Sequence, residues 1–127
     1  MNYKRLNTIT AFLSMINSLF YLLAPVFSLV LMSRSTNPVG LLNTRMAGAC
    51  ALGITVITWQ SRNITDRQFQ NMVCAGNLAM FLALVAVEIH GIWSGAFNWV
   101  GYLFVSADSL LALGYARLYL KTRGNRF

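Results

Sequence analysis

Two of the three carboxylates in this 127-residue chain, Glu88 and Asp108, fall inside long apolar runs. A carboxylate withdrawn from water needs a cation, a hydrogen-bond donor or a proton, and an acid held in lipid is the default suspect for proton or ligand handling. At a rise of about 1.5 Å per residue, Asp108 lies roughly 16 Å from the outer end of the last run, near the middle of a core about 30 Å thick. Asn17 in the first run and Asn77 in the third fall roughly 12 to 14 Å from the inner end on the same reckoning. These three side chains are therefore expected to share one midplane layer. It would act either as a polar clamp between helices, with the amides bonded to the carboxyl, or as a site for a proton or an apolar ligand.

Nearer the outer side, Arg45 and Glu88 fall at similar depth. Their expected role is an ion pair that fixes the register of two helices, and His90 close by would extend it into a small outer-facing site.

Motifs that would name an enzyme are absent: there is no HExxH, no GxSxG, no glycine-rich phosphate loop and no set of His or carboxylates at metal spacing. No catalytic residue or metal ligand is assigned, and no cofactor is identified. Cys50 and Cys74 lie in apolar runs without CxxC spacing and read as packing residues.

The elements that must position these residues follow from composition. With 57% hydrophobic and 10% charged residues, the chain lies outside the range of water-soluble domains. Apolar runs at about 9–32, 41–59, 68–89 and 97–120 are each long enough to cross a bilayer, which predicts an all-α, integral membrane four-helix bundle forming a single domain over 1–127. The first run is too long for a secretory signal and is expected to bend at Pro25. Small residues at helical spacing (Ala47, Ala51 and Thr55; Ala75, Ala79 and Ala83; Ala112 and Ala116) are expected to mark helix contacts.

The net charge of +7 sits in the flanks of the runs rather than on one face of a domain, so it argues for lipid headgroups and against nucleic acid. Of the ten Lys and Arg, Lys4, Arg5, Arg62, Arg67, Arg117, Lys121, Arg123 and Arg126 fall on one side, and only Arg34 and Arg45 on the other. The positive-inside rule then places both termini in the cytoplasm and the 33–43 and 91–96 turns outside, in a bacterial inner membrane or an organellar membrane.

From Arg45 to Glu88 the chain resembles the ergosterol-biosynthesis protein 28 family. The shared features are Arg45 followed by Gly48 at the start of the second helix, an Asn63-Ile64 turn, and Glu88 near the end of the third. Uncharacterised bacterial four-helix membrane proteins share the Arg-x-x-Gly opening equally well. The family's His four residues before the glutamate is Leu84 here, and Asp108 has no counterpart. What the resemblance implies is a small membrane scaffold that gathers other membrane proteins. The leading expectation is accordingly a non-catalytic accessory or scaffold subunit that contacts other membrane chains laterally. The alternative is a small membrane carrier or enzyme using Asp108 with Asn17 and Asn77 around a midplane cavity. A cavity larger than a water molecule against Asp108 favours the alternative, and a dry, close-packed Asp108 favours the scaffold.

Overall fold

The structure, a computed structural model, describes residues 2–32 and 37–124. The turn residues Ser33, Arg34, Ser35 and Thr36 and the end of the basic tail, with Arg126, lie outside the described residues.

Five helices run in chain order: α1 (Tyr3–Leu23), α2 (Pro25–Met32), α3 (Pro38–Ser61), α4 (Arg67–Trp93) and α5 (Val100–Gly124). No strand occurs among the described residues. Each boundary has a local cause. The Asn2 side chain caps α1 by accepting from the Arg5 amide at 2.9 Å. Pro25 supplies no N–H and disfavours helical geometry in the residue before it, so Ala24 leaves the helix at φ −129° and ψ 54° and α2 starts afresh at the proline. The bend expected at Pro25 is thus a one-residue break. Asn37 caps α3 ahead of Pro38, and Asp66, the third carboxylate of the chain, caps α4 by accepting from the Phe69 amide at 2.7 Å. Gly95, at φ 74°, turns the chain between α4 and α5 in a conformation that side chains with a Cβ rarely adopt.

α1, α3, α4 and α5 are each long and apolar enough to cross a membrane, as in a multi-pass membrane protein. They extend a few residues beyond the apolar runs because helical hydrogen bonding continues into the polar flanks.

The helices pack as two hairpins. α1 lies along α3, and α4 along α5, while α3 and α4 scarcely touch although a short turn joins them. In the first hairpin Gly48 is the point of closest approach. A Cβ there would sit 2.9 Å from Tyr21 Cβ and 3.1 Å from the Leu22 backbone nitrogen, so only glycine admits this spacing. Ser18 then donates to the Gly48 carbonyl at 2.9 Å. In the second hairpin Cys74 and Phe81 of α4 pack with Leu111, Ala112 and Tyr115 of α5. The alanine rows expected to form contacts are only partly used. Thr55 and Ala112 are buried, but Ala47, Ala79 and Ala83 are exposed, because the α3 seam runs through Gly48, Thr55 and Thr58 and the α4 seam through Cys74, Asn77, Phe81 and Glu88.

Contacts between the hairpins are few, and the hydrogen bonds that join them lie toward the two ends. Tyr3, Arg67, Lys121 and Thr122 line one depression, so α1 and α5 have their chain-terminal ends on the same face, here termed the basic end. Leu6 and Asn7 of α1 meet Tyr115 of α5 just inside it. At the far end the Asn98 side chain donates to the Leu31 carbonyl at 2.7 Å, and its backbone amide donates to the Met32 carbonyl at 2.9 Å. The α4–α5 loop thereby satisfies carbonyls that the end of α2 leaves free. Held at both ends, the hairpins part in between.

Candidate functional site

The parting is a cavity of about 580 Å³ at mid-depth, with walls from all five helices. Its polar lining is Glu88 of α4, Asp108 of α5, and Ser14, Asn17 and Tyr21 of α1; the rest is apolar, including Phe81 and Phe104. This volume is within the roughly 300–1,000 Å³ of small-molecule sites and far above what one water requires.

The two carboxyl groups lie within hydrogen-bonding reach of each other. Helix polarity explains the meeting. Glu88 is five residues from the far end of α4 and Asp108 eight residues into α5, so their Cα atoms differ in depth by about 4.5 Å. Side chains lean toward the N-terminus of their own helix, and α4 and α5 run in opposite directions, so Glu88 reaches toward the basic end and Asp108 away from it. The lean removes the difference in depth. Glu88 is 9% exposed, with one carboxylate oxygen, Oε2, that has no protein hydrogen-bond partner; Asp108 is half-buried. From α1, Tyr21 lines the cavity with both acids, its hydroxyl donating to Met32 Sδ at 3.9 Å, α3 contributes Cys50 to the same lining, and no Lys, Arg or His lines the cavity among the described residues.

Arg45 takes no part in the pairing expected for it. It is exposed on α3, off the seam that faces α1, and the charged group beside Glu88 is Asp108. Equal depth along two helices did not bring the side chains together, because rotation about the α3 axis turns Arg45 away and α3 barely meets α4. His90 is exposed as well: two residues after buried Glu88 it points to the opposite face of α4, and its carbonyl accepts from the Ser94 amide at the helix end.

The expected midplane trio is divided. Asn17 and Asp108 line one cavity, whereas Asn77 is buried lower down, toward the basic end, beside Tyr115. There the Tyr115 hydroxyl donates to Asn7 Oδ1 at 2.7 Å, with Thr10 and Asn77 beside it but not bonded to it, while its ring stacks on Phe81 with centroids 5.9 Å apart. Asn7, Thr10 and Thr58 are fully buried. Sequence reasoning passed over Tyr115, Thr10 and Tyr21 because neutral hydroxyls raise no charge alarm. A signal was nevertheless present: Tyr3, Asn7, Thr10, Ser14, Asn17 and Tyr21 recur at alternating steps of four and three, which places them on one face of α1.

No protein family, curated protein or solved structure matches this chain at a significant level.

The lining can do two things chemically. Two ionised carboxylates side by side in an apolar cavity repel each other, so the pair accepts either a proton or the positive group of a ligand. The aromatic side chains Tyr21, Phe81 and Phe104 in the lining favour a cation or an apolar ring beside them. The wall between α3 and α4 is thin, since Ala47, Cys50 and Leu84 both line the cavity and are exposed. Access is therefore lateral, from the lipid.

Proposed function

We propose that this chain is a small membrane carrier that binds an apolar organic cation in the midplane cavity and exchanges it for a proton on the Glu88–Asp108 pair. One observation carries the reading: two carboxyls converge, with no basic partner among the described residues, in a cavity with aromatic lining residues large enough for a ligand. A polar clamp would instead be close-packed around its carboxyl. The lateral opening suits a ligand already dissolved in the bilayer. The charge sorting of Lys and Arg supports placing the basic end in the cytoplasm, which sets the acid pair toward the outer half of a bacterial inner membrane or an organellar membrane. The accessory-subunit reading, and the scaffold role implied by the resemblance, draw only on the apolar outer surface, which any helices in lipid present.

Calorimetric titration of the detergent-solubilised protein with tetraphenylphosphonium tests the proposal. Saturable binding is expected, with about one proton released per cation bound and affinity falling as the medium is acidified, because proton and cation compete for one pair. Replacing Glu88 by Gln and Asp108 by Asn together should abolish both binding and proton release. No saturable binding at any pH at which the protein stays folded would overturn the reading.

A further inference from the structure

The exchange reading requires a proton to reach the acid pair, and the cavity opens toward lipid, which supplies none. One face of α1 offers a way in. Tyr3, Asn7, Thr10, Ser14, Asn17 and Tyr21 form a polar column from residue 3 to residue 21, about 27 Å of helix, in a chain where every such side chain facing lipid would be costly. Its lower end opens to water: Tyr3 lines the depression of about 440 Å³ at the basic end, together with Asn2, Arg67, Gln70, Lys121 and Thr122. Its upper end enters the cavity, where Ser14, Asn17 and Tyr21 are lining residues.

Between these ends the column holds one direct side-chain hydrogen bond, from Tyr115 to Asn7, and otherwise polar groups spaced for water to join. The Tyr115 hydroxyl bonds Asn7 at 2.7 Å, while Tyr3 beside Asn7 and Ser61, and Thr10 and Asn77 beside Tyr115, lie along the same line without a direct bond. From Thr10 to Ser14 is one helical turn, about 6 Å, a gap that a single water bridges. A second, independent observation follows the same line. Among the described residues, the buried polar atoms without a protein partner are Tyr3 OH, Asn7 Nδ2 and Thr10 Oγ1 on the column, Asn77 Nδ2 beside Tyr115, Glu88 Oε2 in the cavity at its upper end, and Thr58 Oγ1 on the α3 seam. Unpaired polar atoms scattered at random would not align between the aqueous mouth and the acid pair. Each costs about 1–3 kcal/mol unless water or a shared proton satisfies it.

We infer that the polar face of α1, closed over by Tyr115, Thr58 and Asn77, is a proton path from the basic end to the Glu88–Asp108 pair. Hydroxyls both accept and donate, so Tyr3, Thr10, Tyr115 and Ser14 pass a proton along with intervening water, whereas no organic cation fits through side chains that are fully buried. The Arg67 and Lys121 groups at the mouth repel other cations from it. Charge balances at the far end: each proton delivered neutralises one carboxylate and releases one monovalent cation. The groups facing the acid pair are Tyr21 and Cys50, and those facing Tyr115 are Tyr3 and Cys74, so no other described acid or base intercepts the proton.

The path rests on the carrier reading only for its purpose, and its test is separate. Protein is reconstituted in vesicles with the basic end outward, verified by protease access to both tails. The infrared carboxyl band lost in Asp108→Asn then reports protonation after an external acid jump. In the wild type the band should respond to acid on the basic-end side. Tyr115→Phe, which retains the ring stack, and Thr10→Val, which retains the shape, should each slow the response at least about tenfold, equivalent to roughly 1.4 kcal/mol of barrier, with tetraphenylphosphonium affinity unchanged. Wild-type rates in both variants would overturn the inference, as would a response only to acid from the opposite side. If the wild type binds no cation, the carrier reading fails while the infrared rates still decide the path.

Discussion

The two polar layers of this molecule use similar residues to opposite ends. Around Tyr115, side chains from α1, α3, α4 and α5 close on one another, and Asn7, Thr10 and Thr58 are sealed from any surface. Around Glu88 and Asp108, about two helical turns farther from the basic end, the same helices stand apart and leave a cavity with lateral access. Neutral hydroxyls and amides can tolerate close approach even where, as at Thr10, Thr58 and Asn77, an atom lacks a direct partner. Two carboxyls of like charge cannot, and neither layer holds a basic residue among those described. The lesson is that in lipid the chemistry of a polar cluster decides whether helices close over it or keep room for something else.

The largest expected effect strikes the open layer. Asp108→Asn keeps shape and hydrogen bonding but removes half of the acid pair, and it should weaken tetraphenylphosphonium binding by at least about tenfold, or roughly 1.4 kcal/mol. Unfolding temperature should hold, because the side chain is only half-buried. A variant that binds normally and unfolds early would make the open layer a structural clamp and erase the contrast. Next in size is Gly48→Val. Its Cβ collides with Tyr21 and the Leu22 backbone, so the first hairpin must spread, at about 1–3 kcal/mol of stability measured by unfolding in detergent.

Tyr115→Phe probes the closed layer. It removes one buried hydrogen bond and should cost about 0.6–1.7 kcal/mol without altering cation affinity. A change in affinity would show that the two layers are not separate in function. A finer readout uses the native thiols. Cys50 is exposed in the cavity wall and Cys74 is fully buried, so a membrane-permeant maleimide should modify Cys50 alone, and bound cation should protect it. The smallest effect is expected for Arg45→Gln, within about 0.5 kcal/mol in stability and without effect on binding, since Arg45 is exposed and is not among the residues lining the cavity.

Much of the architecture is legible in the sequence because the bilayer leaves few options for a run of twenty apolar residues. The four spans, the break at Pro25 and the depth of Asp108 follow from length, proline chemistry and helical rise. Pairing within the site does not follow from depth alone. Arg45 and Glu88 share a depth yet face different directions, while Glu88 and Asp108 differ in depth yet meet because antiparallel helices tilt their side chains toward each other. Asn77 departs from the expected layer for a different reason, depth: it lies ten residues from the basic end of α4, whereas Asp108 lies sixteen from that end of α5. Direction around the helix was recoverable from the seams, since residue 45 falls between the positions that include Gly48, Thr55 and Thr58. How far the hairpins part was not recoverable, because it depends on packing that no single helix encodes.

The pattern of contacts also dictates an order of construction. Close packing is almost wholly between partners within α1–α3 or within α4–α5, so the first hairpin can complete itself while the second is still being synthesised. Only afterwards do Tyr115 settle on Asn7 and Asn98 hook the end of α2. The ligand chamber is therefore the last part of the molecule to exist, and a chain stalled before Asn98 leaves the ribosome would sit in the bilayer as one finished hairpin with nothing yet to enclose.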